Sequence, residues 1–333
     1  RRIPKQGERG VIMDLHKPSN VNFFKTQIKN MNLKQNLTKN LNAILIGFGL
    51  LGFASFANTA KANNSPPKCI DAIGAKVDGK YTKTAAQIGN NLIFCTDTPE
   101  RFEITIHELG LCTSQPITVS GANSKTFSKD NCVTTMTSDG IAADLASGLV
   151  PLPSMDGRPE SNTYTHAYII ITNTFGLRGS VTLKNNAGAD VKYCSMTNED
   201  ENGSNSTGPT TGGSLCTPEN HTEILDTFGS TDENGVHTFD PYFPDEAMDG
   251  GGKVSALLTK GDANLTTAQN QGEVERLIGV FETNSGSPVV INDATNGLEM
   301  ELTVTDIGYG ISFGGGEPIY FGSMPFKPIF STF

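Results

Sequence analysis

Six cysteines, Cys69, Cys95, Cys112, Cys132, Cys194 and Cys216, all lie beyond residue 62, and their placement limits what this chain can fold into. An even set of cysteines downstream of an export signal implies a disulfide framework in an oxidising compartment. Such a signal is present. Lys34 and Lys39 form a basic start after Met31, residues 43–57 are an apolar run, and Ala60-Lys61-Ala62 gives the small-x-small pattern that signal peptidase cuts. We expect a helical signal peptide over 31–62 and a mature chain from Asn63. The apolar run is shorter than the roughly 20 residues that span a bilayer and is interrupted by glycines, so no membrane span is expected in the mature form. Residues 1–30 lack an initiating Met and carry Arg1, Arg2, Lys5, Arg9, Lys17, Lys25 and Lys29 against Glu8 and Asp14. They are expected to be an upstream extension outside the fold, with translation starting at Met31 or Met13.

Cys-x-x-Cys does not occur, which sets zinc aside. Six cysteines allow many connectivities. Pairing neighbours in order joins 69 to 95, 112 to 132 and 194 to 216. The last pair is the most favoured, because it would clamp the polar stretch 195–215 and gain about 3 kcal/mol from loop closure.

The whole chain has 25 Lys and Arg, 35 Asp and Glu, and a net charge of −10. Residues 1–62 hold 10 of those bases and 2 of those acids, leaving 15 against 33, or −18, in the remainder. So acidic a chain repels nucleic acid and anionic membrane surfaces, and neither is an expected partner.

Strand signals dominate after residue 63. Residues 102–107 alternate apolar and polar side chains, as a half-buried strand does. Further β-rich runs fall at 133–136, 164–172, 179–183, 191–194, 276–281, 289–291 and 298–305, separated by Gly, Asn, Asp, Ser and Pro clusters that set turns. Only 141–149 and 264–274 suggest short helices. The expected fold is all-β, a disulfide-stabilised antiparallel β-sandwich or jelly-roll-like architecture over 63–333. Pro151, Pro153, Gly157 and Pro159 mark a possible boundary at 149–159, and a long polar loop is expected over 196–252.

Several catalytic patterns dissolve in context. Gly47-x-Gly49-x-x-Gly52 fits a dinucleotide-binding loop but sits inside the apolar run of the export signal. Gly310-x-Ser312-x-Gly314 fits a nucleophile elbow, yet no His follows it, His237 being the last, and a Gly-rich strand or hairpin is expected instead. His107-Glu108 lacks the second His of a zinc-protease helix. Trp is absent, which removes the best sugar-stacking platform; Tyr164, Tyr168, Tyr242 and Phe243 are the available substitutes. No catalytic residue or organic cofactor is assigned.

The chemically suggestive stretch is a duplicated Asp-Glu-Asn-Gly, at 200–203 and 232–235, followed by Asp240, Asp245, Glu246 and Asp249. Carboxylates and Asn carbonyls at close spacing suit a hard cation. The expectation is structural calcium held by Asp200, Asn202, Asp232, Asn234, Asp245 and Asp249, with plain Asn-Gly turns as the competing reading. Taken together, the residues suggest a non-catalytic exported protein of the periplasm, cell surface or extracellular space: a structural subunit that self-associates, or an adhesin. The alternative is a polysaccharide-binding protein or glycoside hydrolase on the same scaffold.

Overall fold

Alternation and β-branched runs become long antiparallel strands. The structure, a computed structural model, describes residues 66–121, 124–147, 159–197, 208–209, 216–229, 238–248 and 251–333. The expected extension 1–30 and signal peptide 31–62 lie outside these residues, as do 149–158 of the possible boundary.

The chain runs through α1 (Cys69–Ala72), β1 (Lys76–Val77), β2 (Lys80–Tyr81), α2 (Ala85–Ile88), β3 (Ile93–Asp97), β4 (Arg101–Cys112), β5 (Ile117–Gly121), β6 (Ser124–Phe127) and β7 (Cys132–Asp144). Next come β8 (Asn162–Tyr164), β9 (His166–Thr172), β10 (Thr174–Arg178), β11 (Ser180–Lys184), β12 (Asp190–Cys194), β13 (Gly208–Pro209), β14 (His221–Ile224) and β15 (Tyr242–Ala247). The last part holds β16 (Lys253–Thr259), β17 (Arg276–Glu282), β18 (Val289–Ile291), β19 (Leu298–Thr303), β20 (Tyr309–Gly314), β21 (Glu317–Ser323) and β22 (Lys327–Thr332).

These strands make an all-β protein built on one eight-stranded sheet, in the order β14-β10-β4-β9-β17-β16-β15 with β7 on the other edge of β4. The remaining described strands form sheets of two or three, among them β21-β20-β3. Their pairing does not resolve into two aligned sheets. The polar region 196–252 is not continuous loop, since it contributes β14 and β15 to the large sheet.

The large sheet forks at Asn173. Strands β9 and β10 are one extended run broken there, and together they line one edge of β4: Ile171 opposite Ile106, Leu177 opposite Phe102. Beyond them the neighbours differ, β17 alongside β9 and β14 alongside β10. Buried Asn173 holds the two branches: its Nδ2 donates to Leu225 O at 3.2 Å, just past β14, and to Val274 O at 3.3 Å, just before β17.

Apolar residues from the inner face of the sheet, including Phe102, Ile104, Ile169, Ile171, Phe175 and Leu258, pack with Tyr309, Ile311, Phe313 and Phe321 of β20 and β21. The opposite face carries a smaller cluster around Tyr168, Ile170 and Ile278, to which Ile117 and Phe127 of the β5–β6 hairpin are added. Gly110 makes room there. A Cβ on it would lie 2.2 Å from the ring of Tyr168, its cross-strand partner.

Three disulfides join consecutive cysteines: Cys69 to Cys95, Cys112 to Cys132, and Cys194 to Cys216. The first ties α1 to β3, the second joins β4 and β7 at a register pair, and the third anchors β12.

Neither suggested helix forms among the described residues. Residues 141–144 close β7 against β4, with Asp144 Oδ1 accepting from Phe102 N at 2.9 Å, and 145–147 are turn and bend. Cross-strand pairing overrides the helix propensity of the Ala-rich segment. Residues 264–274 hold turns and the single 3-10 turn Gln271–Glu273. The Gly-x-Ser-x-Gly stretch is β20, which turns at Gly315 (φ 65°) and Gly316 (φ 83°) into β21, a strand-hairpin setting with no helix after Ser312. Pro318 and Pro328 sit within strands β21 and β22. No described helix is long and apolar enough to cross a membrane.

Candidate functional site

Strand β14 turns His221 and Glu223 inward and Thr222 and Ile224 outward. The strand lies beside β10, with His221 opposite Leu177 and Glu223 opposite Phe175, so a histidine and a carboxyl group enter an apolar interior side by side. His221 is 2% and Glu223 5% exposed.

Glu223 accepts hydrogen bonds from the β20–β21 hairpin and its end, one of them from the Ser323 side chain. Tyr320 Oη donates to Oε1 at 3.0 Å, and the backbone N–H of Ser323 donates to Oε2. Among the described residues no Lys or Arg forms an ion pair with it. Burial raises its pKa to about 7 against the opposing pull of these donors. The Tyr320 hydroxyl is pushed well above its usual range by burial and then by the Glu223 charge.

His221 is neutral at pH 7. Burial first, then the Arg101 guanidinium, lowers its pKa to about 4, and neither ring nitrogen has a hydrogen-bond partner among the described residues. Its ring centroid lies 6.4 Å from that of Tyr309, which stacks on Phe321 at 5.1 Å. A Cβ on Gly179 would fall 2.2 Å from the Tyr309 ring, so that glycine leaves space for the tyrosine.

Glu223 borders a cavity of about 90 Å³ between the forked sheet and the β20–β21 hairpin. Ile171, Phe175, Ala256, Leu277, Phe281 and Phe326 line it, and among the described residues Glu223 and Tyr320 are the only titratable side chains in its wall. A carboxyl group that changes charge near neutrality inside an apolar chamber can hold a hydrogen-bond donor or a cation, and can exchange a proton.

Of the residues singled out for a metal, Asp245 alone is among the described residues. Asp245 on β15 accepts from Gln115 Nε2 at 3.0 Å, and the same amide donates to Ser255 Oγ at 3.1 Å. Asp200, Asn202, Asp232, Asn234 and Asp249 lie outside the described residues. Among the described residues no group of three or more His, Cys, Asp or Glu side chains is arranged to hold a metal.

His107 and Glu108 act apart. The β4 register slips between Ile106 and Glu108, and Glu108 Oε1 accepts from Tyr168 Oη at 2.5 Å, Lys129 Nζ at 2.9 Å and Thr134 Oγ1 at 3.1 Å. Of the aromatics available for sugar stacking, Tyr164, Tyr168 and Phe243 are buried, and Tyr242 is half-buried with Lys125 Nζ 5.7 Å from its ring centroid.

Sequence reasoning missed Glu223. Its partners stand about 100 residues downstream, and His-Thr-Glu-Ile has a charged or polar residue at both inward positions, so the strand carries no apolar alternation to reveal it.

The fold and site define a disulfide-bonded all-β protein with one titratable acid set into an apolar cavity. Comparison with protein-family models, curated proteins and solved structures gives no match for the chain.

Proposed function

We propose that the chain is an exported, non-catalytic protein of the cell surface or extracellular space, acting as a structural subunit or adhesin on a sandwich-like scaffold. The three disulfides carry this reading. Such bridges persist in oxidising compartments and are rare in reducing ones. A surface suited to self-association lies near the C-terminus. The β19–β22 ribbon has no further strand partner among the described residues, and it leaves Ile329 39% and Phe333 69% exposed. Sheet edges of this kind accept an added strand.

The test is light scattering and negative-stain electron microscopy on protein secreted into an oxidising compartment. Filaments, sheets or rings support the subunit reading, and a monomer under all conditions overturns it. We also propose structural calcium at Asp200, Asn202, Asp232, Asn234, Asp245 and Asp249, on the density of oxygen ligands in that sequence. A melting temperature that is the same in calcium and in chelator removes that assignment. The polysaccharide alternative is the weaker reading, because three of its four aromatic candidates are buried.

A further inference from the structure

Two acidic side chains are buried among the described residues, and they are treated differently. Asp97 has a cation: Lys76 Nζ reaches both its carboxylate oxygens at 2.6 Å, and Tyr81 Oη donates at 2.7 Å. Glu223 has the Tyr320 hydroxyl and both the backbone N–H and the hydroxyl of Ser323 but no described cation, and it borders the cavity. A carboxylate offers about four acceptor directions, so three donors leave it capacity for one more. An ionised carboxylate removed from water without a counter-charge costs several kcal/mol. A core residue with only a packing role has no need of that group at this position.

The chamber beside it is shaped for a small apolar body. Glycines at 279, 310 and 322 stand in its wall, and neighbouring side chains fill the places their Cβ atoms would take: Ile169 and Phe281 at 3.2 Å, Phe94 at 2.9 Å and Tyr320 Oη at 2.5 Å respectively. Larger residues at these positions would not relieve the void without moving the walls. Apolar cavities of about 150 Å³ take up benzene. At about 90 Å³ this one suits a slimmer group, such as a short alkyl chain. Half-buried Phe228, Ser323 and Pro325 form its outer rim.

We propose that this cavity is a binding site for a small aliphatic primary amine, its alkyl chain in the apolar chamber and its ammonium group paired with the Glu223 carboxylate. The ligand supplies the positive charge that the protein withholds from Glu223 and gives to Asp97. Tyr320 and Ser323 hold the carboxylate in the wall of the chamber. A charge-assisted hydrogen bond within a largely apolar site discriminates more strongly than one in water.

Isothermal titration of the full disulfide-bonded protein at pH 8 with n-butylamine, 1-butanol and butyrate tests the assignment. Butylamine is expected to bind about tenfold or more tightly than 1-butanol, and butyrate not to bind. Glu223→Gln keeps the shape and removes the charge. It should cost butylamine about tenfold in affinity while leaving 1-butanol within about threefold. Ala256→Leu, which fills the chamber, should abolish both. Equal binding of amine and alcohol by the wild-type protein, amine affinity unchanged in Glu223→Gln, or no binding of either ligand would each overturn the proposal. The wild-type comparison decides even where a variant fails to fold.

Discussion

At the scale of single residues, His221 and Glu223 leave opposite marks on the pH dependence of stability. Glu223 keeps its proton up to about pH 7 in the folded state, whereas an exposed Glu releases it near 4.5. Between these values the folded state binds the extra proton, so this group makes the protein less stable as pH rises, by about 1.4 kcal/mol per unit and on the order of 3 kcal/mol in all. His221 works in the other direction. Its folded pKa of about 4 lies below the ordinary 6.5, the unfolded state binds the extra proton in that window, and stability is lost as pH falls through it. Glu223→Gln should therefore gain stability relative to wild type as pH is raised from 4.5 to 7, measured by urea denaturation at each pH. A constant difference across that range would mean that Glu223 titrates normally. None of this was legible in the sequence: His221 and Glu223 are ordinary polar residues there, and the burial that perturbs them comes from a hairpin a hundred residues away.

At the scale of elements, β16 was not anticipated, whereas β4 was legible from the alternation of its first half and β9 and β17 as short apolar runs that the fold buries on both faces. The end of β7 was not, since Ile141-Ala-Ala carries helix propensity and its strand state comes only from pairing with β4. The fork was hidden for a similar reason, because Asn173 looks like a turn residue until two branches converge on its amide. Asn173→Ala should leave the carbonyls of Leu225 and Val274 without that donor and cost about 1–3 kcal/mol in denaturant unfolding. Amide exchange should quicken in β14 and β17 together; faster exchange in one branch alone would show that the residue does not couple them. On β4, Gly110→Ala would drive a methyl group into the Tyr168 ring. We expect it to destabilise by about 1–3 kcal/mol and to break the Tyr168–Glu108 hydrogen bond, visible as a change in tyrosine absorbance on alkaline titration.

At the scale of the whole molecule, the number of disulfides was legible in the sequence, since an even cysteine count confined to one part of the chain states it directly. Which strands share a sheet was not, because that depends on contacts between residues far apart along the chain. Surface association is predicted to depend on the C-terminal ribbon. Phe330 is buried and should be left in place, whereas Ile329→Lys with Phe333→Ser alters exposed positions and should preserve the melting temperature while abolishing any assembly seen by light scattering. Replacing Cys112 and Cys132 together by Ser should cost about 3 kcal/mol, as expected for opening a loop of that length, and persistence of full stability in denaturant would argue against the entropic account. The bridges span 69–95, 112–132 and 194–216, so none overlaps or encloses another. A polypeptide threaded through a membrane pore from its N-terminus would expose each thiol with its correct mate next to emerge. Pairing then follows from order of exit, and an oxidase working at the pore would complete the set without the minutes-to-hours reshuffling that entangled bridges demand.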